Sequence, residues 1–549
     1  MLSKSEIWGY EPSQQYNRAV AYFSMEFAVD QALKTYCGGL GYLAGSHMRS
    51  AFALKQNLIG VSILWKYGYY DQVRNSEGLL VPAFTRKRYF FLKDTEVTVT
   101  VRIDQAPVHV KAYLLHPVVF GTAPILFLST DIPENDYLSR TITHHLYDPN
   151  ESTRIAQTIV LGVGGALVLD ALRITPDVYH MNEGHSVTLG FYLFERYQSM
   201  EEVRKHLVFT THTPEPGGNE VHKISFLKEM SFFYTLQEAK VRTLLDLHGE
   251  DFNYTEAALK FSGKANGVSK LHAKIANQMW SGILGTGHIL SITNAQNKAY
   301  WRDDALDKAI AAYDNKTIAA RKKELKRDLF KVVADQCGKI FDENILTIVW
   351  ARRFSGYKRP DLIMTDLNRF ITLVNNTEQP VQIIWAGKPY PEDGDEINKF
   401  NYIINQTAEL PNCAVLFGYE MALSAMLKKG SDVWLNTPRK YHEASGTSGM
   451  TAAMNGSINV SIPDGWVPEF AVDGENCFLI KTADDGLPVE QMDKIEHDNL
   501  LDKLTEVVIP MYYQDEQQWL NIVKKAAADI VPPFDSGRLA HEYYELLYK

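Results

Sequence analysis

Between residues 341 and 514, apolar runs at 345–350, 381–385, 413–417 and 431–435 alternate with helix-length segments of mixed polar and apolar residues. Short uniform apolar runs suit strands buried on both faces, and the segments between them suit the crossover helices that parallel strands require. The pattern predicts a doubly wound parallel sheet, in which ligands bind beyond the carboxyl ends of the strands. Arg353 and Lys358 follow the first run, Gly387 and Lys388 the second, and Asn436, Thr437 and Arg439 the last. One such cation alone reads as solvated surface charge. Three at successive strand ends point to a phosphate or phosphosugar, with Arg as a fork and Lys as a compact charge.

A chain of 549 residues is too long for one core, so two large domains are expected. The glycine-rich stretch 36–45 runs into an apolar helical segment through Leu54. Strand-like runs follow at 57–64, 96–103, 108–116 and 123–130, the last three reading as a β-meander. Residues 153–172 read as a buried helix in which Gly162, Gly164 and Gly165 permit close packing. Two further β runs end in polar residues, Val178 to Glu183 and Leu207 to His212. The charged, strand-free stretch 303–337 reads as the interdomain connection. The expected division is residues 1–300, with the meander as an insertion; 301–340 as a helical connection; 341–514 as a second α/β domain; and 515–549 as helices packing back on the first.

A net charge of −10 and a pI near 5.9 argue against a nucleic-acid or anionic-membrane surface. No uninterrupted apolar run approaches the roughly 20 residues of a membrane span, and the start lacks a signal-peptide core. Cys37, Cys337, Cys413 and Cys477 are scattered, with no CxxC spacing, and read as reduced thiols of a cytoplasmic protein.

Glu443-Ala-Ser-Gly-Thr-Ser-Gly-Met450 has loop-to-helix character. Its small residues let the backbone approach a ligand, and free N–H groups at a helix start bind hydroxyl or phosphate oxygens. Glu443 could take two sugar hydroxyls; a helix-capping role is compatible with this. Other motifs fail. His180 and His185 flank Asn182 and Glu183 at one residue beyond zincin spacing, on a strand end, so no metal site is expected. Gly39 to Gly45 lacks the last step of a dinucleotide fingerprint, and Gly387-Lys388 lacks the Ser/Thr of a phosphate-binding P-loop.

Together these residues closely resemble the α-glucan (glycogen/maltodextrin) phosphorylases, in particular their short bacterial and archaeal branch. The resemblance is an ordered series across almost the whole chain: Tyr22 to Phe27, Gly38 to Gly41, Asn182 to His185, Thr211 to Pro214, Asn266 to His272, Arg353 to Lys358, Ala386 to Lys388, and Glu443 to Met450. It implies two Rossmann-like domains facing a cleft (the GT-B architecture), with the glucan on the N-terminal side and the phosphate-bearing donor on the C-terminal side. It also implies retaining glucosyl transfer on α-1,4-glucan and a homodimer. On this resemblance, Glu443, Ser445 and Gly446 would hold the glucosyl hydroxyls and Arg353 and Lys358 the phosphate, with Lys388 and Thr447 as further substrate contacts. The backbone of Gly38 and Leu40 would lie near phosphate and sugar, and His212 beside the reacting sugar, with Asn182, Glu183 and His185 as further substrate contacts.

One position departs. Where the family carries the lysine that binds pyridoxal phosphate as a Schiff base, this chain reads Met450-Thr451-Ala-Ala-Met-Asn455-Gly456, without a gap. A hydroxyl cannot form an imine. Covalent pyridoxal phosphate is therefore expected to be absent, and three readings follow. The first is a phosphorylase-family glucosyltransferase that uses phosphate or glucose 1-phosphate and holds pyridoxal phosphate non-covalently. The second is a cofactor-independent UDP- or ADP-glucose glucosyltransferase resembling glycogen synthase. The third is an inactive glucan-binding protein, disfavoured because Glu443, His212, Arg353 and Lys358 would each cost desolvation in a dead site.

Overall fold

A computed structural model describes residues 3–214, 216–283 and 287–549. The chain divides into two compact units: Met1–Tyr69 with Phe84–Asn294 and Ser536–Lys549, and Tyr70–Ala83 with Ala295–Asp535.

The main sheet of the first unit contains, among the described residues, strands β1 (Val20–Ser24), β2 (Leu58–Ile63), β3 (Lys93–Ile103), β4 (Ala106–Leu115), β5 (Ile125–Ser129), β6 (Val178–Asn182), β7 (Leu207–Thr211), β8 (Lys264–Gly267) and β9 (Leu290–Ser291). Their order is β9-β8-β7-β6-β1-β2-β5-β4-β3. All pairs are parallel except β5–β4 and β4–β3, the edge meander expected from the alternating runs. Strand order reverses between β1 and β6, so their carboxyl ends define the crevice where ligands bind in such sheets.

The Gly-rich helix spans Glu151–Ile159 and Gly165–Ala171, joined by a π-helical turn over Val160–Gly164. It is long and apolar enough for a membrane span, which counting uninterrupted runs missed, yet 78% of its apolar window is buried against the unit. Two of the glycines are required there: a Cβ on Gly162 would lie 2.1 Å from Thr188 Oγ1, and one on Gly165 2.7 Å from the Phe23 ring. At the C-terminus, Tyr548 shares a 2.7 Å hydrogen bond with His180 of β6.

The second unit contains β10 (Leu346–Ala351), β11 (Val381–Ala386), β12 (Cys413–Leu416), β13 (Val433–Asn436), β14 (Ile458–Ser461) and β15 (Phe478–Leu479), all parallel, in the order β12-β11-β10-β13-β14-β15. That is the doubly wound 3-2-1-4-5-6 arrangement, with its switch point between β10 and β13. Every residue of β10, β11 and β13 is buried, which explains their unbroken apolar character.

Three boundaries differ from the sequence expectation. The stretch read as a connection, 301–340, is part of the second unit. Its helix Asn315–Cys337 buries Ile318, Leu325, Leu329, Phe330 and Val333 on one face, and Lys326 pairs with Asp432 at 2.5 Å. Residues 515–535 also stay with the second unit. In helix Glu516–Phe534, Trp519, Ile522 and Val523 join its main core, while Ala526, Ile530 and Phe534 pack with Met450, Met454 and Trp466. Only Ser536–Lys549 belongs to the first unit. Finally, the hairpin Asp71–Arg74/Leu80–Ala83 joins the second unit, where Gln72 donates to the Gly387 carbonyl at 2.8 Å.

Candidate functional site

At the switch point of the second unit, β10 ends at Ala351 and the next two side chains diverge. Arg352 is buried and Arg353 is exposed. Arg352 donates through Nη2 to Ser448 Oγ at 3.3 Å, and its Nη1 lies 3.7 Å from Glu443 Oε2. Its Nε has no hydrogen-bond partner among the described residues. Burial pulls its pKa below the ordinary guanidinium range, against the opposing charge of Glu443.

Lys358, also buried, donates to Glu443 Oε2 at 2.7 Å. It is held by Thr437, at the end of β13, whose hydroxyl donates to the Lys358 and Arg359 carbonyls at 3.0 and 3.1 Å. Burial would raise the pKa of Glu443. Lys358, Arg352 and Arg353 outweigh that and hold it below the usual carboxylate range. Two buried cations and an exposed third thus face one carboxylate, an excess of positive charge suited to an anion.

The loop carrying Glu443 is fixed from beneath. Asp464, 1% exposed, accepts from Glu443 N at 2.9 Å and from Gly465 N at 2.9 Å, and Trp466 N donates to the Ser445 carbonyl at 3.1 Å. Gly465 has φ +59°, and a Cβ there would meet the Ser445 carbonyl oxygen at 2.2 Å, so the two loops touch backbone to backbone. Gly446 reverses the chain at φ +79°, and Thr447 leads into the short helix Ser448–Ala453. Thr451 is fully buried within it, and its hydroxyl donates back to the Ser448 carbonyl at 3.0 Å.

Of the residues singled out in the sequence, Lys358, Glu443, Ser445, Gly446 and Thr447 come together here, with Arg353 contributing charge from an exposed position. Lys388 is placed otherwise: its ammonium donates to the Tyr70 carbonyl at 2.8 Å and to Glu420 at 3.1 Å. The adjacent Gly387 is a close-approach point, since a Cβ there would lie 2.1 Å from the Arg352 carbonyl oxygen. Arg352 and Asp464 were missed. The Asp464-Gly465 turn after a β run was the available signal for the latter.

In the first unit, a second polar group lies at its own switch point. Glu26, just beyond β1, accepts from the N–H groups of Cys37 and Gly38 at 2.6 and 3.0 Å and from Tyr147 Oη at 2.5 Å. It thereby fixes the entry to helix Gly39–Ala53, with Gly38 and Leu40 part-exposed at its start. At the end of β6, Asn182 donates to Ser24 Oγ at 3.1 Å and shares a 2.7 Å hydrogen bond with His212 Nε2. Glu183 accepts from His212 N at 2.7 Å and Gly184 N at 3.1 Å, with its own backbone at φ +72°. Burial pushes Glu183 up to about 7 and His212 down to about 3, so the imidazole is neutral at physiological pH. Burial also lowers the pKa of His185, which lies against Tyr147 at 5.7 Å between ring centroids. Gly38, Leu40, Asn182, Glu183, His185 and His212 are thus all on the carboxyl edge of the first sheet.

Comparisons with known proteins place the chain in a family. A family model described as carbohydrate phosphorylase matches residues 250–528. The chain is 49% identical over 533 residues to an uncharacterized protein of Methanocaldococcus jannaschii, covering 97% of this chain and all of that one. It is 32% identical to a maltodextrin phosphorylase of Thermococcus litoralis, covering the whole of this chain and 72% of the relative. It is 30% identical to a glycogen phosphorylase of Mycobacterium tuberculosis, covering 96% of this chain and 70% of the relative. The chain belongs to the carbohydrate phosphorylase family.

Proposed function

We propose that the protein is a retaining α-glucosyltransferase acting on α-1,4-glucan, which moves a glucosyl unit between the glucan and a phosphate-bearing donor. The observation that carries this is the Glu443 carboxylate held between Lys358 and Arg352 at the switch point of the second unit. A carboxylate so oriented accepts sugar hydroxyls. The surrounding cations meet a phosphate: Lys358 uses one ammonium hydrogen on Glu443 and has two more, and the free Arg352 Nε is a further donor. As the bond from glucosyl C1 to the donor phosphate breaks, charge on the departing phosphate is met by fixed cations, while Glu443 orients a glucosyl unit of oxocarbenium character that the glucan hydroxyl captures. In the first unit, the neutral His212, oriented by Asn182 and Glu183, suits a hydrogen-bonding role toward a glucan hydroxyl.

Pyridoxal phosphate does not fit this chain as a covalent group at position 451. The side chain there is a buried threonine whose hydroxyl is engaged by its own helix, so the amine that an imine needs is missing. That observation favours the second reading, in which a nucleoside-diphosphate glucose is the donor. One assay separates the two: maltoheptaose is offered with phosphate, and then, as acceptor, with glucose 1-phosphate, UDP-glucose and ADP-glucose in turn. Release of glucose 1-phosphate supports phosphorolysis, release of a nucleoside diphosphate supports the synthase-like reaction, and no turnover with any donor refutes both.

A further inference from the structure

Glu443 does not hold its position through its ion pairs alone. Its main chain is gripped by Asp464, which is almost completely buried and sits on the loop after β14, a separate crossover of the sheet. The two Asp464 oxygens divide the work: Oδ2 accepts from Glu443 N and Oδ1 from Gly465 N, with the Tyr441 N–H as a further donor. Gly465 allows this approach, because any side chain there would push the Ser445 carbonyl away. We propose that Asp464 is a positioning residue that sets the depth and direction at which Glu443 and Ser445 meet the glucosyl unit. This rests on the glucosyltransferase reading of the same site.

An ionised carboxylate suits the task because it is acceptor-only, whereas a protonated acid or an amide turns one oxygen position into a donor facing an N–H. The charged groups nearest the pair are Glu443 itself and, across it, Lys358 and Arg352. Burial, followed by opposing N–H bonds and the charge of Glu443, leaves Asp464 up at about 6. For an acid raised above its unfolded value, the fold favours the protonated form. Stability therefore falls as pH rises from the unfolded value of 3.8 through about 6, while the grip on Glu443 tightens over the same range.

The test is Asp464→Asn, with isothermal calorimetry using glucose 1-phosphate and maltoheptaose as probes, kcat/KM from pH 5 to 8, and thermal melting over the same range. Wild-type activity should fall as pH drops through about 6. The variant should lose about 100-fold in kcat/KM at pH 8, the scale of a slightly misplaced group, and lose that acidic limb. It should melt no lower than wild type at pH 8, because a buried charge has been removed. Equal affinity and activity in the variant overturns the proposal, as does a large drop in its melting temperature, which would mark a purely structural residue. If wild-type protein binds neither probe, the glucosyltransferase reading falls and takes the proposal with it. If wild type binds and the variant binds as well, the proposal alone falls.

Discussion

Replacing Lys358 by methionine leaves the Glu443 carboxylate buried with Arg352 as its remaining close cation. At 2.7 Å and an effective dielectric near 20, the lost attraction is ~6 kcal/mol, and the Arg352 contact at 3.7 Å retains ~4.5. Breaking a buried pair typically costs about 3–5 kcal/mol, and the surviving Arg352 contact places this one at the lower end, about 3 kcal/mol. In a unit of this size that corresponds to a fall of roughly 6–12 °C in melting temperature. The pH dependence carries the diagnosis. In wild type Glu443 titrates below its ordinary value of 4.5, so it contributes stability above that value which is lost as pH falls through the lower folded value. Without Lys358 the effect of burial is less opposed, the carboxyl shifts upward and protonates more readily. The penalty should be full at pH 8 and shrink toward pH 5. Adding Glu443→Gln should recover about 2 kcal/mol of the loss, measured as coupling in a double-mutant cycle by thermal and urea melts. A penalty that is independent of pH, or a cycle that closes to within about 0.5 kcal/mol, would refute the idea that these two groups share one buried electrostatic site.

Incubation with pyridoxal phosphate and borohydride should leave no pyridoxyl adduct on a lysine of the second unit. The sharpest check by mass spectrometry is Lys428, a buried amine that burial lowers to about 7; an adduct there would overturn the expectation. Gly387→Ala forces a Cβ against the Arg352 carbonyl and should cost about 2 kcal/mol of stability, together with donor binding by calorimetry. Glu183→Gln should stabilise the protein by about 2–3 kcal/mol at pH 8 and by little at pH 5. The folded carboxyl, raised to about 7, opposes folding progressively as pH rises from 4.5 through 7; equal shifts at both pH values would contradict this. Arg352→Gln should weaken glucose 1-phosphate binding more than Arg353→Gln, since only Arg352 is buried against Glu443; the reverse order would favour Arg353 as the anion contact.

Much of the second unit was legible because a strand buried on both faces must be apolar throughout, and such runs stand out between polar helices. The burial of Arg352 rather than Arg353 shows where legibility stops. Successive side chains along an extended segment point to opposite sides, so the inward residue depends on where β10 ends to within one residue. Lys388 shows a second limit. Its position after a strand was right for a ligand contact, but its ammonium is taken by Tyr70, 318 residues away in sequence, and by Glu420.

The sequence by itself determined the alternation that makes the parallel sheets, the loops that carry the polar groups, and the identity of Thr451, because these depend on local pattern and chemistry. Tertiary structure decided which of those groups meet. The pairing of Glu443 with Lys358 and Arg352, its seat on Asp464, and the assignment of residues 301–340 and of the Tyr70–Ala83 hairpin to the second unit all join segments distant in the chain. No local pattern encodes such contacts, because they form only when the crossover order of the sheet brings the carboxyl ends of β10, β13 and β14 to one edge.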